Sequence, residues 1–137
     1  MWLSEAHMLA RSQVLKLIFF SLALWVAATL YIRFFPSALL DPVLGALSFL
    51  TTFVFAWLSI VIIRSTAGLN PDQLVAGVSV VGTVAMMIDG AVLHWWPAIY
   101  GESETVVRLG AAWLLWGYGV SLGIALLMVS GTRRPAR

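Results

Sequence analysis

The chain is organised around four long apolar stretches separated by short polar breaks. They cover residues 14–35, 42–63, 74–96 and 109–129, and each is 21 to 23 residues long. A helix of about 20 apolar residues crosses the hydrocarbon core of a bilayer. Because the stretches are continuous rather than alternating, they predict helices and not strands. We therefore predict one all-α domain over residues 1–137, a bundle of four transmembrane helices.

The composition supports this class of protein. Apolar residues make up 61% of the chain and charged residues 10%, against roughly 45–50% and 25% in soluble domains. The net charge of +2 comes from basic residues at the ends of the stretches, which favours membrane anchoring over nucleic-acid binding. The chain has no cysteine, which excludes thiol nucleophiles and thiolate metal sites.

The distribution of basic residues predicts the orientation in the membrane. Six of them lie on one side, namely Arg11, Lys16, Arg64, Arg133, Arg134 and Arg137. The opposite side has two, Arg33 and Arg108. Cytoplasmic loops carry the excess of Lys and Arg, so we expect both termini in the cytoplasm. Residues 1–12 are weakly amphipathic, consistent with either an interfacial helix or a frayed terminus.

Two pairs of similar segments suggest a repeat of two helical hairpins. Residues 34–36, Phe-Phe-Pro, recur 61 residues later as residues 95–97, Trp-Trp-Pro. Residues 44–46, Leu-Gly-Ala, recur 65 residues later as residues 109–111. Two hairpins of the same orientation are related by an axis along the membrane normal, so a duplication predicts superposition by such a rotation. Chance similarity between apolar segments is the alternative.

Asp89 is the residue that most needs an explanation. It lies seven residues before Trp96, about 10 Å below the outer interface at a rise of 1.5 Å per residue. A carboxylate at this depth costs about 3 kcal/mol or more unless it is paired or protonated. We expect it to face the bundle, within reach of Arg33, of Arg108 or of a Tyr, Thr or Trp donor. Its role is either a structural pair or the handling of a proton or substrate.

His94 and a group of aromatic residues are the other candidates. His94 either bonds to a loop or to headgroups, or follows Gly90 at the spacing that lets a tetrapyrrole ring lie on a helix. An aromatic cluster in the fourth stretch either packs within the bundle or lines a cavity for an apolar ligand. Its members are Trp113, Trp116 and Tyr118. We find no motif for a metal ion, a phosphate group or nucleophilic catalysis, so no metal and no cofactor is predicted.

Three short motifs lie in the second half of the chain. They are Ile-Asp-Gly at residues 88–90, Trp-Pro at residues 96–97 and Leu-Gly-Ala-Ala-Trp-Leu-Leu-Trp-Gly-Tyr at residues 109–118. In these motifs the chain resembles a family of small, uncharacterised four-span proteins of the bacterial inner membrane. The resemblance implies that location and no catalytic activity.

Two functions follow from the sequence. The first is non-enzymatic: an accessory or interaction subunit of a larger membrane complex, or a self-associating bundle. It is favoured by small residues such as Gly119 and Gly123, which let helices approach closely in lipid. The alternative is a small transporter or a protein that binds lipid or another apolar ligand, using Asp89. A cavity that reaches Asp89 favours the alternative, and a filled core favours the first function.

Overall fold

The computed structural model describes residues 8–132, which form a bundle of helices. The helices are α1 (Arg11–Phe34), α2 (Ser37–Leu40), α3 (Pro42–Ala67), α4 (Leu74–Trp95) and α5 (Glu104–Thr132). Within the described residues, all but α2 are long and apolar enough to cross a membrane. The predicted all-α bundle of four membrane helices is confirmed. The segment 1–7 and the tail 133–137, with three of the basic residues used for orientation, lie outside the described residues.

Three of the four long helices extend beyond the apolar stretches that predicted them. α1 begins at Arg11 rather than residue 14, α3 continues to Ala67 rather than residue 63, and α5 begins at Glu104 rather than residue 109. Charged side chains near the end of a helix can keep their charged groups in the interfacial region. The helical backbone can therefore continue beyond the hydrocarbon core. α3 ends only at Gly68, which has φ 64° and ψ 44° and donates its N–H to Arg64 O.

Side-chain caps fix where α3 and α4 begin. Asp41 Oδ1 accepts hydrogen bonds from the backbone N–H groups of Val43 and Leu44, at 2.9 and 3.0 Å. Asn70 Oδ1 accepts from Gln73 N at 3.0 Å, which opens a 3-10 turn over Pro71–Gln73 that leads directly into α4. An oxygen at the N-cap satisfies amides that have no partner inside the helix.

The interior of the bundle combines buried aliphatic side chains such as Leu17 and Ile60 with small and polar ones, and large apolar side chains also cover the outside. α1 packs mainly on α4, and α5 packs on both α3 and α4. Ser21 of α1 is fully buried and donates to Val81 O of α4 at 2.7 Å. By contrast, Phe19, Met87 and Leu127 are about 70% exposed. This distribution fits a protein whose main solvent is lipid, because close packing and hydrogen bonds then hold helices together.

The two turns at residues 34–36 and 95–97 have the same geometry, but the hairpins pack differently. Phe35 has φ −126° and ψ 54°, Trp96 has φ −137° and ψ 53°, and a proline follows each. However, α4 packs extensively on α5, whereas α1 makes few contacts with α3. A rotation about the membrane normal would make these two interfaces alike. The two hairpins therefore share their turns and differ in how closely their helices pack, and their superposition about the membrane normal stays a prediction.

Candidate functional site

Asp89 lies on the buried face of α4, and two tyrosine hydroxyls satisfy its carboxyl group. Its neighbours on that face are Ala85 and Val92, and its own exposed fraction is 4%. Tyr100 donates to Oδ1 and Tyr118 donates to Oδ2. Because a buried carboxyl group without hydrogen bonds is costly, these two phenols explain how the bundle accommodates Asp89.

A tryptophan of α1 extends this arrangement. Trp25 Nε1 donates to Tyr100 Oη at 3.1 Å, so hydrogen bonds connect α1, α4, the α4–α5 turn and α5. We refer to Asp89, Tyr100, Tyr118 and Trp25 as the Asp89 cluster. Tyr100 is fully buried. Its burial is the main cause that raises the pKa of its hydroxyl group, and the hydrogen bond to Asp89 raises that pKa further. The hydroxyl group therefore remains a proton donor to Asp89.

Neither arginine that we considered as a partner reaches Asp89. Arg33 Nη1 donates to Ala98 O at 2.9 Å, and its Nη2 lies 3.7 Å from Oε1 of Glu102. Arg108 lies on the exposed side of α5. A guanidinium at the end of a helix keeps its hydration near the interface, whereas moving it to Asp89 would add a second desolvated charge. The same prediction also named a tyrosine as a possible donor to Asp89, and Tyr100 and Tyr118 confirm that part.

The predicted aromatic cluster of α5 divides between two neighbouring helices. Trp113 Nε1 donates to Thr52 Oγ1 of α3 at 3.0 Å, and Trp116 Nε1 donates to Phe49 O of α3 at 2.9 Å. Tyr118 faces α4 and Asp89 instead. At about 100° per residue, position 118 lies roughly 140° around the helix from position 113. The three side chains therefore contact different neighbours, because residues close in sequence on a helix point in different directions.

A cavity of about 180 Å³ lies between the four long helices. Its wall is mainly apolar and includes Ala85 of α4 and Gly117 of α5. Trp25 and Tyr118 also line it, so the cavity reaches the Asp89 cluster. Trp113 lines the cavity as well. Trp113 and Tyr118 thus line the cavity from different faces of α5.

The cavity is open on one side. Phe55 of α3 and Met86 of α4 line it, yet they are 65% and 38% exposed on the outside of the bundle. Side-chain hydrogen bonds connect α1 to α3 near both ends of the two helices. At one end Tyr31 Oη bonds to Ser48 Oγ at 2.7 Å, and at the other Gln13 Nε2 donates to Ala67 O at 3.2 Å. These hydrogen bonds hold α1 and α3 together at their ends, and the cavity lies between the two ends.

His94 lies away from this cavity. It is exposed near the end of α4, and its ring lies perpendicular to the Trp95 ring, with ring centroids 4.7 Å apart. Gly90 is also exposed, and a Cβ added there would have no neighbour within 4 Å. Within residues 8–132, no group of three or more His, Asp or Glu side chains could hold a metal ion.

Two features of the structure were missed in the sequence. Gln13 and Gln73 exchange amide hydrogen bonds at 3.2 and 3.1 Å, and Gln73 also donates to Met8 O at 2.8 Å. Each of these two glutamines directly precedes an apolar stretch, the first and the third, and this shared position could have predicted that they lie at the same side of the membrane. Tyr100 was missed because it lies in a polar loop, although it is the third residue after a proline, as the buried Leu39 is in the other turn.

Comparison of the chain with known protein families, with curated proteins and with solved structures found no match. No relative therefore assigns a role to any of these residues. The function has to be inferred from the cavity, from its lining and from the Asp89 cluster.

Proposed function

We propose that the protein binds an apolar ligand inside the membrane, in the cavity between its four long helices. The observation that carries this proposal is that the cavity extends to the Asp89 cluster. An apolar cavity of about 150 Å³ in a protein core is large enough to hold benzene, and this one is about 180 Å³. The side chains that line a space of that size have no protein atoms to contact on one face. A ligand supplies those contacts.

The chemistry of the lining suits binding rather than catalysis. Ligand sites are mostly apolar and contain a few polar groups that fix orientation. Here Thr52, Ser59, Tyr118 and Ser121 supply hydroxyl groups within an otherwise apolar wall. Among the lining residues none is a histidine, a carboxylate or a lysine that could activate one of these hydroxyls as a nucleophile. The opening beside Phe55 would admit a ligand directly from the bilayer.

Binding can be tested with fluorobenzene and the protein in lipid nanodiscs. Gly82 lines the cavity, and a Cβ added there would meet only Met86 Cε, at 3.6 Å. Gly82→Leu therefore fills space without a backbone clash. Gly90→Leu is the matched control on the same helix, because Gly90 faces open space. Both variants gain helix propensity equally.

We expect a separate ¹⁹F NMR resonance for bound fluorobenzene with the native protein and with Gly90→Leu. Gly82→Leu should lose this resonance, because leucine occupies the ligand's volume. Nanodiscs without protein give the resonance of fluorobenzene dissolved in lipid. The same spectrum for all three proteins would contradict binding in the cavity.

We also propose that the protein resides in a bacterial inner membrane with both termini in the cytoplasm. The excess of basic residues on the side of the termini supports this orientation. A reporter fused after Tyr100 should then read periplasmic, and one fused after Arg137 should read cytoplasmic. The opposite pair of readings would reverse the orientation.

Self-association, or docking on a larger membrane complex, is a second candidate function. Gly119 and Gly123 are spaced for close helix packing, yet a Cβ added at either would have no neighbour within 4 Å. This open surface on α5 favours contact with another helix. Gly119→Leu should then lower cross-linking between copies in membranes, whereas Gly90→Leu should leave it unchanged. Equal cross-linking of the two variants would contradict self-association there.

A further inference from the structure

We infer that the cavity takes a phenol, a single aromatic ring whose hydroxyl group donates a hydrogen bond to Tyr118 Oη. This inference rests on the proposed function and adds the chemical class of the ligand. It combines the hydrogen-bonding state of the Asp89 cluster with the size of the cavity. The two tyrosines of the cluster differ in a way that makes only one of them available to a ligand.

Tyr100 has no free place for a ligand. A tyrosine hydroxyl has one proton to donate and an oxygen that accepts. Tyr100 donates its proton to Asp89 Oδ1 and accepts from Trp25 Nε1. It is fully buried and is not among the residues that line the cavity. Its hydroxyl group is therefore occupied on both sides by the protein.

Tyr118 keeps its accepting side open. It donates its proton to Asp89 Oδ2, and no other described residue donates a hydrogen bond to its oxygen. Tyr118 also lines the cavity, so a molecule in the cavity can approach that oxygen. Because its own proton is already given to Asp89, Tyr118 offers an acceptor, and a ligand has to bring the donor.

The hydrogen bond from Tyr118 to Asp89 makes Tyr118 Oη a better acceptor. Successive hydrogen bonds polarise one another, particularly where the surroundings are apolar. A ligand hydroxyl would extend the series that runs through Tyr118 to Asp89. A ligand that can only accept would meet no free proton at Tyr118, and a ligand without polar atoms would leave the oxygen unused. The cavity should therefore prefer a donor.

The volume and the aromatic side chains of the cavity suit a single ring. About 150 Å³ is enough for a benzene ring, so one ring with a hydroxyl group fits within the cavity of about 180 Å³. Trp25 and Trp113 supply aromatic surfaces along the wall, against which a flat ring packs favourably. One aromatic ring with one hydroxyl group satisfies both the volume and the acceptor.

Three fluorinated ligands test this inference on the native protein in nanodiscs. 4-Fluorophenol can donate, 4-fluoroanisole can only accept, and fluorobenzene does neither. After correction for partition into empty nanodiscs, we expect 4-fluorophenol to bind about fivefold more tightly than fluorobenzene, as one net hydrogen bond allows. 4-Fluoroanisole should show no such gain. Equal affinities of 4-fluorophenol and fluorobenzene would overturn the phenol inference and leave binding in the cavity intact.

Two tyrosine variants locate the acceptor. Tyr118→Phe and Tyr100→Phe each remove one hydrogen bond from Asp89, but only Tyr118 lines the cavity. We expect Tyr118→Phe to lose the preference for 4-fluorophenol over fluorobenzene, and Tyr100→Phe to keep it. Binding of fluorobenzene shows that a variant retains the folded cavity. A preference that survives in Tyr118→Phe overturns the assignment.

The outcomes separate the two proposals. If none of the three ligands gives a bound resonance with the native protein, both the cavity proposal and the phenol inference fail. If Tyr118→Phe does not fold, the comparison of the three ligands on the native protein still decides the inference. In that comparison, a gain for 4-fluorophenol alone supports it, and the same gain for 4-fluoroanisole refutes it.

Discussion

Replacing Tyr100 with phenylalanine tests whether the Asp89 cluster holds the bundle together. The substitution keeps the buried ring and removes one hydroxyl group. Two partners lose their hydrogen bond: Trp25 Nε1, which donates at 3.1 Å, and the Oδ1 atom of Asp89. The substitution therefore acts on α1, on α4 and on the turn between α4 and α5 at the same time.

The expected cost follows from which groups are left without a partner. Hydrogen bonds between side chains of membrane helices average about 0.6 kcal/mol, so two ordinary ones would contribute about 1.2 kcal/mol. Asp89 is 4% exposed, and an unsatisfied buried polar group costs about 1–3 kcal/mol. Tyr118 still donates to the other oxygen, which limits the loss. We expect Tyr100→Phe to lower the free energy of unfolding by about 2–3 kcal/mol.

The assay is unfolding by SDS in mixed micelles, followed by far-ultraviolet circular dichroism. Tyr31→Phe is the matched control, because Tyr31 bonds to Ser48 Oγ at 2.7 Å and Ser48 still donates to Ala38 O afterwards. Its loss should stay below about 1 kcal/mol. If Tyr100→Phe costs no more than Tyr31→Phe, the Asp89 cluster does not stabilise the bundle in the way described.

Three further predictions concern other parts of the bundle. Gln73→Ala removes the amide pair with Gln13, so the free energy of unfolding should fall by about 2 kcal/mol in the same assay; no change would contradict that interaction. Asp41→Ala should cost about 1 kcal/mol because α3 loses its cap, and Asp41→Asn should retain most of that stability. Burial raises the pKa of Tyr100, so folding should be destabilised only above about pH 10, where the unfolded chain ionises. As the pH rises through 10, the phenolate absorbance of the native protein should remain close to that of Tyr100→Phe, because Tyr100 stays protonated. A difference between the two proteins that appears with a midpoint near pH 10 would refute the raised pKa.

The four membrane helices could be predicted because they depend on a property that each segment carries by itself. A run of about 20 apolar residues needs a helix in lipid, whatever its neighbours are. The ends were less predictable. Gly68 and the cap Asp41 determine where α3 stops and starts, and these are local backbone effects that do not depend on where the apolar run ends.

The inward position of Asp89 could also be predicted, because exposing a carboxylate to lipid is expensive. Its partners were harder to choose. Arg33 and Arg108 are complementary in charge, but the turn after Pro97 carries the Tyr100 ring into the bundle and brings a neutral donor closer. That choice depends on how a turn packs against two helices, which no single segment determines.

The cavity could not be derived from the sequence. It exists because Gly82, Ala85 and Gly117 place little volume where four helices face one another. The same small residues are consistent with close helix contact, which is how the sequence favoured a filled core. Only the relative positions of the four long helices distinguish the two outcomes.

A crystal structure of the protein grown with bromobenzene would test binding in the cavity most directly. Bromine scatters anomalously, so its position can be determined independently of the surrounding lipid and detergent. We predict a bromine peak between Trp25 and Trp113, inside the cavity lined also by Tyr118. A cavity closed by neighbouring side chains, with bromine only on the outer surface of the helices, would contradict ligand binding at this site.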